Sequence, residues 1–360
     1  MRATSGWTKQ TELELLGILP FGLDGLLLMP TIDPSDGGLL MHALRLSAQA
    51  SLWFGSIAPM PAPPERAPTR GLSFSRTLGQ GREGRRLSVR QRGDAVSWSL
   101  RDLEGSAQAK GCLRPEQGCR IVDLSVTRSS VVVLGVEGEP QLPRYQVGVA
   151  PRGEHASVRW LSRGQRGYPE LLLAREHADA LQVELAVRAT EEPGAARLMA
   201  WSLHPHEGAA SARARLDCAV LGPTVWADPR GEAGFLCAVT AQSFAGESAP
   251  VLIKLDLVTG DRETRSFGFA RELGAPSIAE VRTQGESGGR VFVLLPIYDA
   301  VRDCTECHAL AADDLHAPAL AVVRLPEVLR ATRRTQWVSA GRFHALDEAL
   351  DGLTRGLAVR

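Results

Sequence analysis

Short apolar or alternating runs, broken every few residues by Gly, Pro or Asp, dominate this chain. Runs of that length predict β-strands bounded by turns. Strands are expected over residues 12–18, 39–46, 87–89, 95–100, 121–126, 131–136, 181–187, 198–203, 235–240 and 251–257. Residues 290–295 and 319–325 continue the series, the second closed by Pro326. Turn chemistry falls between them, at Asp33-Pro34-Ser35-Asp36-Gly37-Gly38, at Arg92-Gly93-Asp94, and over residues 299–303 and 313–316. Only residues 343–357 show helical spacing, through Leu346, Leu350 and Leu353. Many short strands without a fixed-period repeat predict an all-β sandwich, barrel or propeller.

Composition narrows the function classes. Acidic and basic residues balance at 41 each, which removes the electrostatic case for nucleic acid or an anionic membrane. Lysine occurs only at positions 9, 110 and 254, a bias of codon usage rather than of function. No apolar run approaches the ~20 residues of a membrane-spanning helix. The opening stretch Met1-Arg2-Ala3-Thr4-Ser5-Gly6-Trp7-Thr8-Lys9-Gln10 lacks an apolar signal core, so a cytoplasmic location is expected. Six cysteines in 360 residues do not make a disulfide scaffold.

Several segments, taken in order, resemble the carotenoid cleavage oxygenase family. Met29-Pro30-Thr31-Ile32-Asp33-Pro34 followed by Gly37-Gly38-Leu39 is similar to the family's His-Pro-Lys-x-Asp-Pro and Thr-Gly-Glu-Leu. Val122-Asp123-Leu124-Ser125-Val126-Thr127, then Val131-Val132-Val133, is similar to His-Asp-Phe-Ala-Ile-Thr and its following strand. The strand from Pro143 to Arg152 has a counterpart next in order, and Leu173-Ala174-Arg175-Glu176 stands where the family has Asn-Ala-Tyr-Glu. The quarter from Gly274 to Trp337 resembles the family's last blade, with Tyr298-Asp299 ending a strand and Arg324-Leu325-Pro326 ending another.

The resemblance implies an all-β fold, a seven-bladed β-propeller with four histidines holding a non-haem Fe(II) at its axis. Neutral imidazoles with open coordination positions suit O2 chemistry on Fe(II), and outer glutamates orient the rings. Carried over, the four ligand positions fall on Met29, Val122, Glu170 and Arg334, and the outer glutamates on Leu221 and Ala275. None of these positions holds histidine, and the chain's eight histidines fall elsewhere, so no cofactor is expected, Fe(II) being required only if the family activity persists. Glu170 and Arg334 become candidates for an axial ion pair in place of the metal. The segment before Leu13 is short against the family pattern, which predicts an incomplete propeller with an open edge. The whole of 1–360 is expected to be one propeller domain, with an irregular Pro/Gly/Arg-rich loop over 58–86 and a helical tail over 341–360.

Other candidate chemistry is weaker. Cys304-Thr305-Glu306-Cys307-His308 matches the spacing that attaches c-type haem, but it falls on a hairpin inside the expected blade. His204-Pro205-His206 reads as an exposed loop pair, and Cys112 and Cys119 as a bridge or as two free thiols. Gly79-Gln80-Gly81-Arg82-Glu83-Gly84 fits a phosphate-loop spacing without the strand and helix that such a loop needs. The expected role is a non-catalytic relative that binds an apolar small molecule or a protein partner, with self-association at the open edge as one form. The alternatives are an active Fe(II) dioxygenase on a carotenoid, apocarotenoid or stilbene double bond, and a decaying gene product.

Overall fold

The computed structural model describes residues 12–15, 19–20, 25–32, 39–47, 49–57, 72–78, 85–102, 105–115, 118–139, 143–153, 155–177, 179–188, 196–228, 233–244, 247–282, 289–325 and 328–330. These residues form strands and turns, with no helix among them. The first sheet holds β1 (Glu12–Leu15), β2 (Leu19–Pro20), β3 (Leu26–Ile32), β4 (Leu39–Leu46) and β5 (Leu52–Ile57). The second runs β6 (Ser73–Leu78), β7 (Arg85–Arg92), β8 (Ala95–Asp102) and β9 (Ala107–Arg114). The third takes β10 (Cys119–Val126), β11 (Ser130–Glu137), β12 (Arg144–Pro151) and β14 (Arg159–Arg166), while β13 (Ala156–Ser157) adds parallel to β9.

The fourth and fifth sheets share one long strand. β15 (Tyr168–His177), β16 (Ala180–Arg188), β17 (Ala196–His204) and the first half of β18 (Ala209–Ala227) make the fourth. The second half of β18 opens the fifth, followed by β19 (Gly234–Phe244), β20 (Glu247–Asp256) and β21 (Arg262–Ser266). In the sixth, β22 (Arg271–Leu273) and β23 (Ser277–Arg282) pair end to end along one edge of β24 (Gly289–Asp299), with β25 (Cys304–Ala311) on its other edge and β26 (Ala321–Arg324) beyond. Finally β27 (Val328–Arg330) returns to the first sheet and pairs parallel with β1.

Apolar alternation on both faces of these strands turns the sheets into a ring of stacked layers. One cluster joins Leu87, Trp98 and Leu113 of the second sheet to Leu124 and Val133 of the third. Others join third to fourth, fourth to fifth and fifth to sixth in the same way. The last cluster packs Phe292, Leu294, Cys307 and Ala309 of the sixth sheet onto Leu27, Met29, Leu44 and Leu46 of the first. Sheets packed face to face in order from the second to the sixth, with the sixth returning onto the first, make the layers of a β-propeller. Among the described residues it has six such sheets, one fewer than the family pattern implies. The first and last described strands, β1 and β27, meet in this closing sheet.

Among the described residues the expected strands and turns are found with small differences at their ends. The turn expected over 33–38 and the end of the strand expected over 12–18 lie outside them. The turn at Gly93 joins β7 to β8, and its φ of 59° explains why glycine stands there. The loop expected over 58–86 needs correction: Ser73–Leu78 is a strand paired with Arg85–Arg90 of β7. Its polar, serine-rich stretch showed no apolar run, and the strand exists because β7 offers it a ladder. The helix expected over 341–360 lies outside the described residues.

Candidate functional site

The candidate positions sit on the strands that bring neighbouring sheets together. Val122 lies in β10, where the ladder to β11 shifts between Ile121 and Asp123 and leaves Val122 as the extra residue of a bulge. β15 carries a matching irregularity between Leu171 and Leu173. Between the two bulges, Asp123 Oδ2 accepts the Leu171 N–H at 2.9 Å, while Asp123 Oδ1 accepts the Leu124 N–H at 2.8 Å. Further along the same two strands, Glu176 Oε1 accepts from Thr127 Oγ1 at 2.8 Å, Ser129 Oγ at 2.8 Å and Ser129 N–H at 2.5 Å. Both ties link residues in the same sequence order, so β10 and β15 run side by side in the same direction. Residues 122 and 170 each stand one position before the Asp123–Leu171 bond.

Environment separates the candidates. Val122 is half-buried and packs against the cluster between the third and fourth sheets. Glu170 pairs with Ala186 in the ladder and is exposed. Met29 is 0% exposed, inside the apolar cluster shared by the first and sixth sheets. Its ladder neighbour is His42, itself buried. Leu221 pairs through its backbone with Val239, and Ala275 is half-buried between β22 and β23. Arg334, and with it the candidate pair to Glu170, lies outside the described residues.

These residues do not fit the iron that the resemblance implies. Valine has no donor atom, the Met29 thioether is sunk in an apolar cluster, and Glu170 offers a single carboxylate. A hard cation with open positions needs several nitrogen or oxygen donors converging on one point. Among the described residues no three of His, Cys, Asp and Glu come together in such a way.

The remaining candidates resolve by geometry. The Cys304–His308 motif forms most of β25, where successive side chains alternate between faces. Cys307 and Ala309 therefore join the cluster with the first sheet, while Leu310 joins the one with the fifth. Cys304, three residues from Cys307, falls on the opposite face, so the two thiols cannot bond one haem. His308 Nε2 lies 3.0 Å from Glu306 Oε2. Burial lowers its pKa and outweighs the carboxylate's opposing pull, which favours the neutral imidazole, so the contact is a hydrogen bond rather than an ion pair. His204 is half-buried and His206 exposed, in the turn between β17 and β18. Cys112 and Cys119 form no disulfide. The glycine stretch 79–84 lies outside the described residues.

A cavity of about 330 Å³ opens against β8 and β9, lined by Ser97, Trp98, Lys110, Gly111, Cys112 and His155. It lies against the second sheet and touches none of the positions matched to iron ligands or outer glutamates. The residue that sequence reasoning passed over is Asp123. Its signal was present, as the aspartate that follows the first position of the His-Asp-Phe-like segment, but only the fold reveals its partner on β15.

Comparison with known proteins follows the fold. No protein-family model matches the chain, and no curated protein matches it. Among solved structures it is similar to the lignostilbene dioxygenase of Pseudomonas brassicacearum, 14% identical, with a TM-score of 0.62 over 89% of this chain and 93% of that one. It is also similar to cobalt-substituted apocarotenoid oxygenase of Synechocystis, 14% identical, with a TM-score of 0.60 over 87% of this chain and 92% of that one. A variant of the same oxygenase gives 14% identity and a TM-score of 0.60 over 88% and 92%. The ring of β-sheets described above is the carotenoid cleavage oxygenase-like fold.

Proposed function

We propose that this chain is a non-catalytic propeller of the carotenoid-oxygenase type that binds an apolar small molecule or a protein partner without iron. The observation that carries the reading is the donor chemistry at the matched positions: an apolar-packed methionine, a valine at a bulge and one exposed carboxylate. Glu170 and Arg334 take the place of the metal as a cross-strand pair in this reading. Because Glu170 is exposed, that pair is of the solvent-screened kind, worth about 0.2–1 kcal/mol in a double-mutant cycle rather than the larger value of a buried pair. Coupling within error of zero would remove it from the reading.

A cytoplasmic location goes with this proposal. It is supported by five unbridged cysteines among the described residues and by the lack of a helix among them long and apolar enough to cross a membrane. The competing reading, an active dioxygenase on a carotenoid, apocarotenoid or stilbene double bond, is favoured by the names of the similar structures. Metal analysis of protein purified from iron-supplemented cells separates the two. The proposal expects iron far below stoichiometry and no O2-dependent cleavage of an apocarotenoid or a stilbene. About one iron per chain together with cleavage would overturn it.

A further inference from the structure

The second sheet packs through one face only. Leu87, Val89, Val96, Trp98, Leu100 and Leu113 point to the third sheet and fill the cluster there. Strand alternation sends the residues between them to the other face. Among the described residues no apolar cluster joins that other face to the first sheet.

Strand register fixes what stands on it. Arg90, Ser97 and Cys112 form one cross-strand row, and Ser88, Ser99 and Lys110 form the next. Arg86 stands directly opposite Arg101 at one end of these rows, and alternation places Arg92 and Arg114 at the other. Small side chains thus occupy the middle and cations the rim. Arg90, Arg92, Arg101, Lys110 and Arg114 are all exposed. Among the described residues this face carries no carboxylate. Asp94 belongs to the hairpin turn, and Asp102 shares the side of Leu100, with its Oδ1 accepting the Ser106 N–H at 2.7 Å. Like charges directly opposite one another on a sheet cost stability, and a bound anion would relieve that cost. The even balance of 41 acidic and 41 basic residues over the whole chain hides this local segregation.

The cavity of about 330 Å³ draws Ser97, Lys110 and Cys112 of this face together with His155. The turn before His155 is docked on β9 by the Cys112 N–H, which donates to the Gly153 carbonyl at 3.3 Å. Ser97 Oγ already donates to the Arg90 carbonyl at 3.0 Å, so recognition falls to the cations.

We propose that this basin binds a small molecule carrying two or more oxyanion groups, phosphates or carboxylates. A cleft of one sign focuses the field on such a ligand, and arginine forks bind both kinds of oxyanion through paired hydrogen bonds. Strands ~4.8 Å apart, with alternate residues ~6.7 Å apart, spread the rim over roughly 10 Å, more than one oxyanion covers. No large apolar or aromatic side chain is exposed on this face, so it offers neither a stacking platform for bases nor a wedge for a membrane. The basin is separate from the positions matched to iron ligands and independent of how those are read.

The cavity thiol reports occupancy. Iodoacetamide, being neutral, is not itself drawn to the cations, and its rates at Cys112 and at Cys119 of the third sheet are read by peptide mapping. Inorganic pyrophosphate and citrate are the probes for the two oxyanion chemistries, with sodium chloride at equal ionic strength as the blank. Either probe should slow Cys112 by the factor 1 + [L]/Kd, about tenfold at nine times Kd, and leave Cys119 unchanged. The Arg90→Gln, Arg101→Gln double variant, which removes two exposed charges, should lose that protection while keeping the wild-type circular dichroism spectrum. Equal slowing of both thiols, no slowing by either probe, or protection undiminished in the folded variant would overturn the proposal. So would protection by a DNA duplex or by phosphatidylserine vesicles where the small anions give none.

Discussion

Asp123 and Leu171 hold adjacent sheets together: the Asp123 carboxylate accepts the Leu171 N–H at 2.9 Å, from one bulged strand to another. The bond occupies a backbone donor at a register shift, where the ladder to β16 is interrupted. A buried backbone N–H left without an acceptor is costly, and Leu171 is buried on a strand at the edge of its sheet, so loss of the Asp123 carboxylate should be felt. Asp123→Ala should therefore destabilise the protein by about 1–3 kcal/mol. Asp123→Asn, which keeps one acceptor oxygen, should cost less. Urea unfolding of the two variants checks the order, and equal losses would mean that the bond to Leu171 contributes nothing specific.

Met29 is a packing residue as this fold stands. It fills the cluster that closes the sixth sheet onto the first, at 0% exposure. Met29→Ala should cost about 2–5 kcal/mol through lost contact and the cavity left behind. Met29→Leu, close in volume, should cost less than about 1.5 kcal/mol. Thermal unfolding of both variants decides, and a silent Met29→Ala would show that this side chain is not part of the closure.

Acid stability should depend on Glu176. Partial burial alone would raise its pKa, but the bonds from Ser129 and Thr127 together with the charge of Arg128 outweigh it and hold the carboxyl below its ordinary 4.5. A lowered folded-state value contributes stability above the unfolded pKa and loses it as pH falls through the folded one. The wild type should thus lose stability on acidification below about pH 4.5 more steeply than Glu176→Gln. Parallel stability curves from pH 7 down to acid unfolding would contradict this.

Thiol reactivity should sort by position. Cys237 and Cys307 are 0% exposed, and burial pushes the Cys307 thiol up to about 12 and the Cys237 thiol higher still. Cys112 and Cys119 are half-buried. In native protein an aromatic disulfide reagent should modify Cys112 and Cys119 first, while Cys304, Cys307 and Cys237 react only on unfolding. Peptide mapping after a timed quench reads the order. Early labelling of Cys307 would show that the layer between the first and sixth sheets opens.

Most strands were legible in the sequence because an apolar run between turn residues needs little tertiary help to declare itself, as Leu39–Leu46 and Ser130–Glu137 show. Which residue types stand at Met29, Val122, Glu170 and Arg334 was legible too, while their match to ligand positions is what the family resemblance implies. The 19-residue β18 was missed: the Ala-Ser-Ala-Arg-Ala-Arg near its start alternates only small alanines with polar residues, too weak an apolar signal to mark a strand, and its length comes from serving two sheets. The Cys-x-x-Cys-His run has the spacing for haem but reads as part of a hairpin, and the strand puts its thiols on opposite faces. Glu184 shows the limit most plainly. Leu181-Gln182-Val183-Glu184-Leu185 reads as a strand with one wet face, because alternation says which residues share a side but not what covers that side. Only the stacking of the fifth sheet onto the fourth made the polar face an interior, and with it a buried carboxylate that Arg213 meets directly.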